Sequence, residues 1–358
     1  MKNKEEIKEI LDYLQTTEEK TLNFDSEAIA AAYQKNDGAQ SLAIKILSVF
    51  GGILASFAFV GFIFLARLED SEIGMLVMGC VFLVSAVFIN KKSNKIIFDT
   101  VSVSFFIISF IFIGFSLYEF RIDSNIICIL FAVIACVSMI VAQNYILSFV
   151  SILIINGSIL TLILSNKNYD LIHIYVSVFA LILTYFYLKE AKIITSNKIL
   201  SKLYSPIKTG LAFSFIMGFS FLGIKNGVFP MSPDYIWLSS AIIILTIIYL
   251  LYTLFEVLKI TKMQHKIAIY IFAALTLLPT IFSPAISGAI LLILLCFLVN
   301  YKTGFILGII SFIYFISQYY YDLNFTLLTK SILLFSSGVL FIILYLFTHK
   351  KITANEKI

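Results

Sequence analysis

Over residues 46 to 347 the sequence is a succession of apolar runs, most of them 16 to 23 residues long, parted by short polar loops. A helix rises about 1.5 Å per residue and needs about 20 apolar residues to cross roughly 30 Å of hydrocarbon. Within lipid a backbone satisfies its own N–H and C=O groups only as a helix or a closed barrel. The runs fall near 46–66, 73–90, 96–118, 125–142, 145–165, 171–188, 206–224, 235–255, 267–282, 284–299, 303–321 and 325–347. Only Gln143 and Asn144 interrupt the stretch 125–165. A straight helix of that length would be roughly 60 Å long, about twice the hydrocarbon layer, so it reads as a hairpin. The expected fold is all-α: a polytopic integral membrane protein with about twelve transmembrane helices. The count falls to ten if the short pair around Pro279-Thr280-Ile281-Phe282-Ser283-Pro284 is re-entrant.

Composition agrees with lipid as the solvent. The chain is 60% hydrophobic and 13% charged, where soluble domains are nearer one-quarter charged. Its net charge of +5 does not point to nucleic acid, because the lysines sit in particular loops and form no basic face. Cys80, Cys128, Cys136 and Cys296 lie inside apolar runs without metal-ligand spacing, so neither disulfide nor metal is expected. The first 45 residues are polar and lack a cleavable leader, which leaves the first span as an uncleaved anchor. Ile7, Ile10, Leu11 and Leu14 recur at amphipathic-helix spacing, and Asp25-Ser26 reads as the cap of a second helix.

The basic residues set the orientation. Twenty-one fall in the N-terminal region, in the loops after spans two, six, eight and ten, and in the tail. The alternate loops hold four: Arg67, Arg121, Lys167 and Lys225. Positive charge stays inside, so both termini are expected in the cytoplasm of an inner-membrane protein. The chain then divides into a cytoplasmic helical head at 1–45, a six-helix half at 46–188, a loop at 189–206, a second half at 207–347 and a tail at 348–358. In the central loop Ile199, Leu200 and Leu203 would face lipid, and Lys198 and Lys202 the headgroups. The six-plus-six division invites comparison with major facilitator transporters, but Asn90-Lys91-Lys92-Ser93-Asn94-Lys95 lacks their glycine-flanked Asp-Arg loop motif.

Few polar residues lie within the spans. Lys330 is the only basic residue well inside one, about 7 Å from its start, and reads as a side chain reaching the outer headgroups with help from Asp322. Asp99, one turn beyond Lys95, fits an interfacial i, i+4 pair. Asn156 is the most central amide and needs a partner, normally on another helix. His173 lies near Asp170 at an outer helix end and reads as interfacial. Glu69, Asp70, Glu72, Asp123, Ser124, Asp170, Asp234, Ser283 and Asp322 sit beside outward helix starts, where side-chain oxygens cap free N–H groups and carboxylates suit the dipole. Gly304 and Gly308, Gly51 and Ala55, and Gly52 and Ser56 have the spacing of close helix contacts.

The run Tyr319-Tyr320-Tyr321-Asp322-Leu323-Asn324-Phe325-Thr326-Leu327-Leu328-Thr329-Lys330-Ser331, then Gly338, with Gly51-Gly52 in the first span, resembles a bacterial family known as domain of unknown function 4401, related to one numbered 2157. The resemblance implies no chemistry. It does imply a partner, a membrane-anchored protein named for a Gly-Asp-Tyr motif and encoded nearby. The candidate functional positions are Lys330, Asp322, Asn156, Asp99 and Tyr320. The expected function is a non-enzymatic component of a membrane complex, in contact with the lipid bilayer and needing no cofactor. The alternative is a transporter or flippase for a solute or lipid, although no central carboxylate suits proton coupling.

Overall fold

A computed structural model describes residues 42–65, 71–92, 96–223, 235–258, 260, 262–322, 326–332, 335, 336, 338, 339 and 342. The expectations for the head before residue 42, for Asp234, Lys95 and Lys259, and for the tail lie outside the described residues. The described elements are helices: α1 (Leu42–Leu65), α2 (Glu72–Lys92), α3 (Ile96–Glu119), α4 (Ser124–Ala142), α5 (Tyr145–Ser165), α6 (Leu171–Leu188), α7 (Glu190–Ser196), α8 (Lys198–Gly223), α9 (Ile236–Val257), α10 (Met263–Leu277), α11 (Pro284–Leu298) and α12 (Lys302–Asp322). A 3-10 turn, Leu278–Phe282, joins α10 to α11. Nine helices among the described residues are long and apolar enough to cross a membrane; α11 is a shorter apolar helix, and within α1 the stretch Phe50–Ile63 is apolar. Exposed apolar side chains such as Ile267, Ile271 and Leu275, each one turn from the next on α10, suit a lipid solvent better than water.

The chain forms two compact units. Among the described residues, one contains those up to Asp123 together with Val137–Val150, and the other contains Ser124–Cys136 and those from Ser151 onward. In the first unit α3 packs against both α1 and α2. Its serines explain how. Ser104 Oγ donates to the Gly52 carbonyl on α1 at 3.2 Å, while Ser56 Oγ of α1 donates to the Ser104 carbonyl at 3.1 Å. On the other face Ser102 Oγ donates to the Ala86 carbonyl of α2 at 2.8 Å, and Ser116 Oγ to the Glu72 carbonyl at 2.8 Å. Hydrophobic driving force is weak between helices in lipid, so such bonds and tight packing hold them together. Gly52 permits the approach: a Cβ there would lie 2.9 Å from a Val103 methyl. Phe59, Phe82 and Phe112 fill the centre, with ring centroids 5.9 to 6.3 Å apart.

In the second unit α6, α8, α9 and α11 surround a core that includes Leu183, Phe215, Phe219, Ile247, Leu292 and Leu295. Gly308 brings α12 onto α11, since a Cβ there would meet Ile293 at 2.8 Å. His173 Nδ1 lies 2.9 Å from Ser239 Oγ, which joins the starts of α6 and α9. His173 is 1% exposed, so at its helix end it is a buried helix-to-helix contact. At the same end Asn125, starting α4, and Asn166, following α5, exchange side-chain amide bonds of 3.3 and 2.8 Å. The stretch 125–165 is therefore a hairpin. Its turn at Gln143 takes a left-handed φ of 50°, and Asn144 caps α5 by accepting from the Ile146 N–H at 2.9 Å.

Capping is selective. Ser71 accepts from the Gly74 N–H at 3.1 Å, whereas Asp170 and Ser283 make no side-chain cap bond. Helix α8 begins at Lys198 and runs through Pro206. Sequence reading starts the span near residue 206, where the lysine-bearing loop gives way to the apolar run. The added turns carry their own tertiary contacts. Leu203 is 2% exposed, facing the bundle and not lipid, and Tyr204 donates its hydroxyl to the Phe186 carbonyl at 3.0 Å.

Candidate functional site

The best-defined charged constellation lies where α6, α7, α8 and the α11–α12 turn meet, within the second unit. Extension of α8 back to Lys198 places Lys208 well inside a helix. There it is 7% exposed. A lysine in such surroundings needs a counter-charge. Glu190, in the first turn of α7, supplies it at 3.0 Å. Three aromatic rings complete the enclosure, with Lys208 Nζ 4.6 Å from the Tyr301 centroid, 5.1 Å from Tyr187 and 5.5 Å from Tyr204. Each cation–π contact contributes on the order of 0.5–2 kcal/mol, more as water is excluded. Thr209 Oγ1 lies 2.9 Å from the Tyr301 hydroxyl and holds that ring in place. The local sequence explains the geometry: Tyr204 and Lys208 are one helical turn apart on α8 and so share a face, while the break at Lys189 lets Glu190 turn back toward them.

Sequence reading counted Lys208 among the loop lysines, and Lys330 as the only basic residue well inside a span, reaching toward the outer headgroups. The structure buries Lys208 inside a helix. Lys330 is half-exposed. Its Nζ sits 5.1 Å from the Tyr320 centroid and 3.4 Å from the Tyr321 carbonyl. Lys208 pairs with Glu190, whereas Lys330 reaches the Tyr321 carbonyl and not Asp322. Asp322 instead borders a small hollow with Gln318, Tyr319, Phe282, Ser283 and Pro284. The signal for Lys208 was its i, i+4 spacing to Tyr204, which becomes visible once the helix is allowed to begin before Pro206.

The remaining candidates lie at separate places. Asp99, 5% exposed, accepts from Asn144 Nδ2 at 3.4 Å in the first unit. Asn156, buried on α5, donates to the Ile152 carbonyl at 2.8 Å and accepts from the Tyr175 hydroxyl of α6 at 3.4 Å. That ring stacks on Phe179 at 4.4 Å. Tyr320 and Lys330 come together, whereas Asn156 bonds to Tyr175 and Asp99 belongs to the other unit. All four cysteines are free.

No curated protein and no solved structure matches the chain. A family model does, over residues 41–351, and that span takes in both units from α1 onward. The chain therefore belongs to the family described as Domain of unknown function (DUF4401).

Proposed function

We propose that this chain is a twelve-span inner-membrane protein with both termini in the cytoplasm, acting as a non-enzymatic component of a membrane complex. The observation that carries the functional part is what the intramembrane polar groups do. Ser56, Ser102, Ser104, Ser116 and Asn156 bond to carbonyls of their own or a neighbouring helix. Polar groups used this way join helices and leave none of these five to line a solute path. The topology is supported by which helix ends meet. Asp99 with Asn144, Glu190 with Lys208 and Thr209 with Tyr301 pair ends that the lysine pattern places in the cytoplasm. Glu72 with Ser116, Asn125 with Asn166 and His173 with Ser239 pair ends that it places outside.

The partner that the family resemblance implies is a membrane-anchored protein with a Gly-Asp-Tyr motif. The test is isolation of the tagged chain from native membranes in mild detergent. A small membrane protein should co-purify in fixed ratio, and repeated recovery of a lone monomer would count against the reading. A solute or lipid transporter is the competing reading. Uptake or scrambling by reconstituted protein, lost on substitution of Lys208 or Glu190, would favour it.

A further inference from the structure

Helices α6 and α9 run side by side in the same direction. Their starts meet at His173 and Ser239, and farther along they form an apolar groove of ≈ 430 Å³. One wall holds Leu181 and Tyr185 on α6 and the other Leu245 and Tyr249 on α9, each pair one turn apart and exposed. The floor is Thr184 and Thr246. Their hydroxyls donate back to the Ala180 and Ile242 carbonyls at 2.7 and 2.8 Å, so the floor offers no free hydrogen-bond donor. The groove ends at Lys189, where α6 stops.

We infer that this groove binds one acyl chain of an anionic phospholipid, with the headgroup phosphate held at Lys189. Charge complementarity decides the class. Lys189 is exposed and meets no carboxylate among the described residues. The adjacent acid, Glu190, is held by Lys208, so its charge is compensated from within the bundle and does not oppose a phosphate. Lys192, also exposed, follows one turn later. Basic residues at the end of a crevice between membrane helices are the usual recognition element for anionic headgroups. The length agrees: the eight residues from Leu181 to Leu188 span roughly 12 Å, close to half the thickness of the hydrocarbon layer and so to one leaflet. Tyr185 and Tyr249 then lie near the headgroup level, where tyrosine is favoured. This inference goes beyond the proposed scaffold role and holds whether or not a protein partner is found.

The test uses the full chain in nanodiscs of equal phosphatidylglycerol and phosphatidylcholine, followed by mild detergent extraction and mass measurement of retained lipid. Phosphatidylglycerol should be retained about fivefold over phosphatidylcholine, the effect expected of one lysine near an anionic group. Lys189→Gln should abolish that preference, and Lys189→Arg should keep it. Leu245→Trp, a change on an exposed wall that narrows the groove, should reduce retention of both lipids. Retained lipid matching the bulk composition would overturn the inference. So would a preference unchanged in Lys189→Gln, or retention unchanged in Leu245→Trp. An unshifted thermal midpoint for each variant shows that it has folded.

Discussion

Lys208 and Glu190 meet at 3.0 Å, yet their exposure is unequal: 9% for the lysine side chain and 36% for the glutamate. Removing one or the other deletes the same ion pair and leaves different residues behind. Glu190→Gln strands an ammonium among three tyrosine rings, whereas Lys208→Met leaves a carboxylate that water can reach. Glu190→Gln should therefore lower stability by on the order of 1–3 kcal/mol, and Lys208→Met by less. Thermal midpoints in one detergent measure both. Equal losses would mean that the enclosure does not shield Lys208 from solvent.

The glycines of α1 should separate cleanly. A Cβ on Gly52 would stand 2.9 Å from Val103, but one on Gly51 only 3.8 Å from Thr100. Gly52→Ala is expected to push α1 off α3 at a cost of about 1–3 kcal/mol, the usual range for overpacking. Gly51→Ala should be nearly silent, and Ser104→Ala should cost about 0.6 kcal/mol. Denaturation curves of the three variants check the order.

Asn125 and Asn166 hold the two ends of the α4–α5 hairpin together. In a background lacking the four native cysteines, Asn125→Cys with Asn166→Cys should form a disulfide on mild oxidation. Asn125→Cys with Asn144→Cys should not, because those positions lie at opposite ends of α4. Maleimide labelling after denaturation counts the remaining thiols and decides between the outcomes.

Alkaline phosphatase fused after Asn197 or Lys351 is expected to be inactive, and fused after Lys167 active, because positive loops stay in the cytoplasm. An active fusion after Lys351 would overturn the orientation. Activity after both Asn197 and Lys167 would remove a span between them.

Much of the fold was legible residue by residue. The break at Gln143 and Asn144 followed from length alone, since no single helix of that run fits a bilayer. The small-residue pairs Gly52–Ser56 and Gly304–Gly308 pointed to helix contacts, and the partners proved to be α3 and α11. Asn156 needed a neighbour and found Tyr175. The charged site was read less well. Lys330 drew notice because it stood alone in an apolar run, and Lys208 escaped it because it was counted with the lysines of the central loop. The place of His173 near a helix start was legible, but its buried contact with Ser239 was not.

The amino-acid sequence by itself determined that this chain is helical and built from apolar segments of membrane length, because lipid offers backbone groups no other partner. It also bounded most of the apolar runs, through the cost of charge in hydrocarbon, although α8 begins at Lys198, before its apolar run. Only the tertiary structure decided which face of each helix meets another helix and which meets lipid. In an apolar segment both faces have similar composition, so periodicity carries little information. The enclosure of Lys208 is a case of this. Its tyrosines come from α6, α8 and the turn before α12, and no local pattern joins residues 187, 204 and 301 until the helices have packed.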